Sequence, residues 1–139
     1  MIAVDTSVLV DFIGEGPAAA AAEEALRVAL AAGPVVACEV VVSEVVAGLG
    51  HSNVVMETLE EVGVGFLPME MRSALRAGEM QRRYRARLLQ GGGLQAVQRS
   101  VPDFLIGAHA LLQCQGLITR DAGFFRDYFK GLKVIVPKA

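Results

Sequence analysis

Ile2-Ala3-Val4-Asp5-Thr6-Ser7-Val8-Leu9-Val10-Asp11, residues 2–11, is the stretch whose reading decides the fold. Ile2 to Val4 reads as a short buried strand that runs directly into an acid, and a helix can start at Thr6. The same grammar recurs downstream. Val35 to Cys38, Val64 to Leu67, Gly116 to Thr119 and Leu132 to Val136 are further short apolar runs of strand character. Helical patterns fill the gaps. Pro17 opens an alanine-rich segment with Glu23, Glu24, Leu26 and Leu30, stopped by Gly33-Pro34. Ser43 is expected to cap a helix over Glu44 to Leu49, and a second fills Asn53 to Val62. Met69 to Leu89 forms a long helix closed by Gly91-Gly92-Gly93, and Pro102 starts another that ends near Gln113. Asp121 leads a last helix in which Phe124, Phe125, Tyr128 and Phe129 make a core-facing stripe. Apolar strands separated by helices imply a parallel sheet covered on both faces. The expected fold is α/β, one domain over residues 1–139, with a five-stranded parallel sheet and helices on both faces.

Composition narrows the class. A chain of 139 residues, 53% apolar and 20% charged, can bury a core and is not globally disordered. Mean hydropathy is +0.46. Even so, no stretch approaches the ~20 unbroken apolar residues of a spanning helix. The richest region, Val35 to Leu49, is broken by Glu39 and Glu44. Met1-Ile2-Ala3-Val4 carries no basic leader, so a cytoplasmic protein without a membrane segment is expected. Cys38 and Cys114 lie in apolar runs and read as small core residues, and His51 and His109 are too few for a zinc site. The net charge of −2 argues against a broadly basic nucleic-acid binder. Residues 70–99 depart from that balance, with seven arginines against Glu70 and Glu79, a net +5 beside −7 for the remainder.

Ligands of parallel α/β folds sit beyond the carboxyl ends of strands, which directs attention to four acids. Asp5 ends the first strand, Asp121 follows the fourth, Glu44 follows the second and Asp103 lies just after Pro102 in a helical first turn. Taken singly, Asp121 and Asp103 could be helix caps and Glu44 a solvated residue favoured by the helix dipole. Asp5 is harder to dismiss, because so apolar a strand directs it into a crevice. Converging carboxylates repel and do not stay ionised together without a cation. An all-oxygen set suits Mg²⁺ or Mn²⁺.

The segments carrying these acids resemble the PIN domain family. Residues 2–11 are similar to its opening, and Val42-Ser43-Glu44-Val45-Val46-Ala47-Gly48-Leu49 resembles its second acidic segment. Pro102-Asp103-Phe104-Leu105-Ile106-Gly107-Ala108-His109-Ala110 resembles the third, and Leu117-Ile118-Thr119-Arg120-Asp121-Ala122-Gly123-Phe124-Phe125 the fourth. The four occur in the family's order, in a chain of the length of VapC-type toxins. The resemblance implies a Mg²⁺- or Mn²⁺-dependent endoribonuclease with Asp5, Glu44, Asp103 and Asp121 as catalytic residues around the ion. Thr6 and Thr119 match hydroxyl positions that support ligands or water. It also implies an RNA substrate, a small cognate antitoxin and a homodimer. Other readings are a PIN nuclease of RNA maturation and a catalytically silent RNA- or partner-binding module. A receiver-like phosphoacceptor would need an acid at the end of the third strand, where Phe66-Leu67-Pro68 stands. A haloacid-dehalogenase-type phosphatase would need an acid where Ser7 stands.

Residues flanking the acids complete the reading. Arg72, Arg76, Arg83 and Arg87 share one face of the long helix, beside an apolar stripe of Ala77, Met80, Tyr84 and Leu88. Arg76, Arg83 and Arg87 are candidate RNA-binding residues, set against a purely solvated arginine face. Tyr84 is expected in the core rather than as a base-stacking platform, and His109 is expected to be structural. Gly107, four residues after Asp103, is expected to leave open space beside it. Asp11 is expected to be solvated or salt-bridged.

Overall fold

The computed structural model describes residues 1–90 and 101–138. Gly91-Gly92-Gly93 and Arg99 lie outside the described residues. The elements run β1 (Ile2–Val4), α1 (Thr6–Ile13), α2 (Ala19–Ala32), β2 (Val35–Ala37), α3 (Glu39–Leu49), α4 (Ser52–Val62) and β3 (Val64–Phe66). They continue with α5 (Met71–Gln90), α6 (Val101–Gln113), β4 (Gly116–Ile118), α7 (Ala122–Tyr128) and β5 (Lys133–Ile135). All pairings are parallel, and the five strands lie in the order β3-β2-β1-β4-β5. The expected α/β sheet is therefore present, with β1 spanning its whole apolar run and the other four strands a residue or two shorter than theirs.

This order places the site. The chain builds outward from β1 to β2 and β3, then returns to add β4 and β5 on the other side of β1. The direction of winding reverses between β1 and β4, so their carboxyl ends flank the crevice where such sheets bind ligands. Ala3 and Val4 pair with Leu117 and Ile118 there. The residues that follow these strands, Asp5 on one side and Thr119 to Asp121 on the other, face each other across that crevice.

Burial follows strand position. β2 and β4 are buried at every residue, whereas the edge strands β3 and β5 are partly open. Phe104, Phe125 and Phe129 are among the largest fully buried side chains. Phe104 stacks at 5.5 Å on Tyr84 and at 5.2 Å on Phe124, edge-on to the latter. The aromatic stripe of α7 and the core placement of Tyr84 are thus as expected, with Tyr128 half-buried. His109 is buried and bonds the Leu67 carbonyl at 2.9 Å, tying α6 to the end of β3. Burial lowers its pKa, which keeps the ring neutral in that structural role. Cys38 is buried and Cys114 half-buried; burial pushes the Cys114 thiol up to about 11, so it stays protonated. No helix of the described residues is long and apolar enough to cross a membrane.

Two local expectations are corrected. Ser43 is no N-cap, because α3 begins at Glu39, immediately after Cys38. Val41 and Val45, one turn apart, are both buried, and that packing carries the helix through a β-branched run that propensity alone disfavours. Glu44 therefore sits in the second turn of α3, not the first. Gly107 does not open space beside Asp103; a Cβ there would stand 2.3 Å from the edge of the Phe129 ring. Its lack of a side chain serves the packing of α6 on that ring.

Candidate active site

Asp5 is the anchor of the crevice. It is 7% exposed, and its extended backbone makes it the N-cap of α1. Oδ1 accepts the Thr6 N–H at 2.8 Å, while Oδ2 accepts hydroxyls from Thr119 at 2.6 Å and Ser7 at 3.2 Å. Burial raises its pKa above the ordinary carboxylate value. The bonds from Thr119, Thr6 and Ser7 oppose the rise, and the charge of Asp103 adds to it. Burial is the largest of these influences, and it outweighs the three donors.

The other acids arrive from separate elements. Glu44 is half-buried on α3 and accepts the Thr6 hydroxyl at 2.7 Å, which couples α3 to the start of α1. Asp103 lies in the first turn of α6, half-buried. Asp121 occupies the N-cap position of α7, but its carboxylate caps no N–H of that helix. Its backbone N–H instead donates to the Thr119 hydroxyl at 3.0 Å. That hydroxyl thus accepts from the loop and donates to Asp5, fixing the β4–α7 turn against the end of β1. Its full burial gives it no solvent alternative.

Asp5, Glu44, Asp103 and Asp121 line a single cleft of about 470 Å³, together with Thr6, Ser7 and Arg120. All four expected acids and one of the two expected threonines are in its wall; Thr119 stands behind it. A larger cavity of about 580 Å³ lies between α2 and the β5 segment, walled by residues such as Ala25, Val28 and Ile135, and holds none of these acids. Among the described residues, no three of the acids stand close enough together to hold a metal ion between them. The donor set is all oxygen, which fits a hard divalent cation that keeps several of its own waters and needs only a few direct protein ligands.

Two further residues of the cleft, Ser7 and Arg120, carry little mark of their place there in the sequence. Ser7 is a third donor to Asp5, hidden because a serine in a helical first turn reads as ordinary. Arg120 pairs through Nε with Asp11 Oδ2 at 2.8 Å, which realises the salt-bridged reading of Asp11. Its position between Thr119 and Asp121 is the one signal that points to it. The arginines of α5 behave differently. Arg76 lies 3.7 Å from Glu79, Arg87 stands 5.3 Å from the Tyr128 ring centroid, and Arg83 is exposed. None of the three lines the acidic cleft.

Comparison with known proteins agrees with this geometry. The family model described as PIN domain matches residues 2–130. Among solved structures, VapBC2 from Rickettsia felis bound to a promoter DNA fragment is 19% identical with a TM-score of 0.72, covering 99% of this chain and 100% of that one. A toxin–antitoxin complex from Klebsiella pneumoniae is 22% identical with a TM-score of 0.64, covering 99% and 98%. DNA-bound VapBC from Salmonella typhimurium is 15% identical with a TM-score of 0.67, again covering 99% and 98%. At such identities the likeness is one of fold. None of the curated proteins compared matches the chain.

Proposed function

The chain belongs to the PIN domain family, and from that premise we propose that it is a divalent-metal-dependent endoribonuclease of the VapC type. The observation that carries the reading is that Asp5, Glu44, Asp103 and Asp121, from four separate segments, line one cleft at the sheet's switch point. These four would hold Mg²⁺ or Mn²⁺, in part through the ion's own waters. The bound ion would supply Lewis acidity toward a phosphoryl oxygen and a more acidic water. The chain's own residues set the stage for that chemistry. Thr119 and Ser7 fix the Oδ2 side of Asp5, and the Thr6 N–H fixes Oδ1. Thr6 holds Glu44 across the gap between α1 and α3. The substrate is RNA, cut hydrolytically at a phosphodiester. The proposed setting is a cytoplasmic homodimer restrained by a small antitoxin, a reading supported by the solved neighbours, which are toxin–antitoxin complexes.

The test is cleavage of RNA by the purified protein with Mg²⁺, with Mn²⁺ and with EDTA, beside Asp103→Asn. Metal-dependent cutting that the variant loses is the expected result. Cutting that survives both EDTA and the substitution would refute the reading. Growth arrest on expression, absent for Asp103→Asn, distinguishes a toxin from a nuclease of RNA maturation.

A further inference from the structure

Arg120 has no part in the proposed metal site, yet it is the one cation lining the acidic cleft among the described residues. Its side chain is 55% exposed, whereas that of its partner Asp11 is 16% exposed. Asp11 belongs to α1 and does not line the cleft. The pair is therefore lopsided: a largely buried carboxylate grips the Nε side of a guanidinium that reaches the cleft mouth. The carboxylate side of the pair is fixed in the fold, and the guanidinium side is the part left open to a ligand. One contact at Nε engages a fraction of the five guanidinium N–H donors, and Asp11 is the one ion-pair partner of Arg120 among the described residues. The remaining Nη groups form a planar fork of the kind that matches a phosphate.

The electrostatics of the cleft give that fork a task. Four carboxylates repel a polyanion, and a cation held at the rim offers an entering phosphate a point of attachment. The Asp11 contact holds Nε on the α1 side and so limits where the guanidinium can reach. We propose that Arg120 binds a backbone phosphate of the RNA beside the scissile one, and that Asp11 is a positioning residue that holds Arg120 at the rim. The assignment rests on the nuclease reading and extends it to the substrate.

The experiment separates binding from cleavage. In an Asp103→Asn background, binding of a fluorescein-labelled single-stranded RNA oligonucleotide of mixed sequence is followed by anisotropy over a range of salt. Arg120→Ala is expected to bind about tenfold more weakly, with a salt slope lower by about one. Arg120→Lys keeps the slope but loses part of the affinity, because charge remains and the fork does not. Asp11→Asn weakens binding about threefold at unchanged slope, since Arg120 keeps its charge and loses its direction. In cleavage by the otherwise wild-type protein, the same substitutions raise KM more than they lower kcat. Arg120→Gln serves if the alanine variant proves unstable. Wild-type affinity and slope in Arg120→Ala overturn the proposal. RNA bound but never cut by the wild type refutes the nuclease reading while the binding arm still decides Arg120. Absence of RNA binding refutes both.

Discussion

Asp103 and Phe104 are neighbours at the start of α6. One lines the cleft, and the other has no exposed surface, enclosed by Tyr84, Phe124 and Tyr128 at ring distances of 5.2 to 6.0 Å. α7 repeats the arrangement, with Asp121 at its N-cap in the cleft wall and Phe124 and Phe125 buried within its first turns. The two regions obey opposite physics. Aromatic contacts of this kind add about 0.5–1.5 kcal/mol each beyond their buried area, whereas like charges in the cleft oppose one another. An assembly of carboxylates does not hold itself together. Here the elements that carry two of the acids are fixed from behind by ring packing, and the hydroxyls of Thr6 and Thr119 tie in the rest.

If the division is real, substitutions on each side should have separable effects. The largest is expected for Asp103→Asn, which should lower cleavage by on the order of a hundredfold or more, since loss of even a supporting partner costs ten- to a hundredfold. Its unfolding midpoint should change far less than its rate, because the amide keeps near-equal volume at a half-buried position. A fall in stability comparable to the fall in rate would show that Asp103 braces the fold. The counterpart is Gly107→Ala, which forces a Cβ into the Phe129 ring. Overpacking should cost about 1–3 kcal/mol in denaturant unfolding. Cleavage per folded molecule should be unchanged; a matching loss of activity would mean the cleft and its backing are one unit.

Thr119→Val tests the seam between the regions. It keeps the β-branched shape at a fully buried position while removing the donor to Asp5 and the acceptor of the Asp121 N–H. The Mg²⁺ concentration for half-maximal cleavage should rise about tenfold with the fold retained. An unchanged metal requirement would leave Thr119 as packing alone.

The same division explains what the sequence makes legible. The acids follow apolar runs whose strand character is local, so the residues themselves put Asp5 and Asp121 at strand ends. Glu44 is legible through its segment, although the start of its helix is not. The valines of α3 have their helical reason in burial of Val41 and Val45, and burial is not a property of neighbours in sequence. Gly107 misleads for the same reason: its partner, Phe129, is far along the chain. Arg120 and Ser7 stay hidden because their importance lies in what they touch. Arg76, Arg83 and Arg87 are legible as a charged face, but a face gives no distance to the cleft.

The smallest effect concerns Asp5 itself, and its sign discriminates. Burial raises the Asp5 pKa in the folded protein, and its three donors offset only part of that rise. The folded state therefore binds the proton more tightly than the unfolded chain. This stabilisation is complete below the unfolded pKa and is lost as pH climbs through the raised folded value. At neutral pH without metal, the ionised Asp5 is a net cost. Asp5→Asn removes the charge at near-equal volume, and its amide can still accept from Thr6 and donate to the hydroxyls of Ser7 and Thr119. In EDTA the variant should unfold at a higher temperature than the wild type at neutral pH, and the gap should narrow as pH falls into the carboxylate range. Mg²⁺ should narrow it from the other side, by raising the wild-type midpoint and not the variant's. A variant less stable at neutral pH, with a pH-independent gap, would mean that the hydrogen bonds of Asp5 outweigh its burial. The cleft would then be a region that stabilises the fold, as the aromatic layer does.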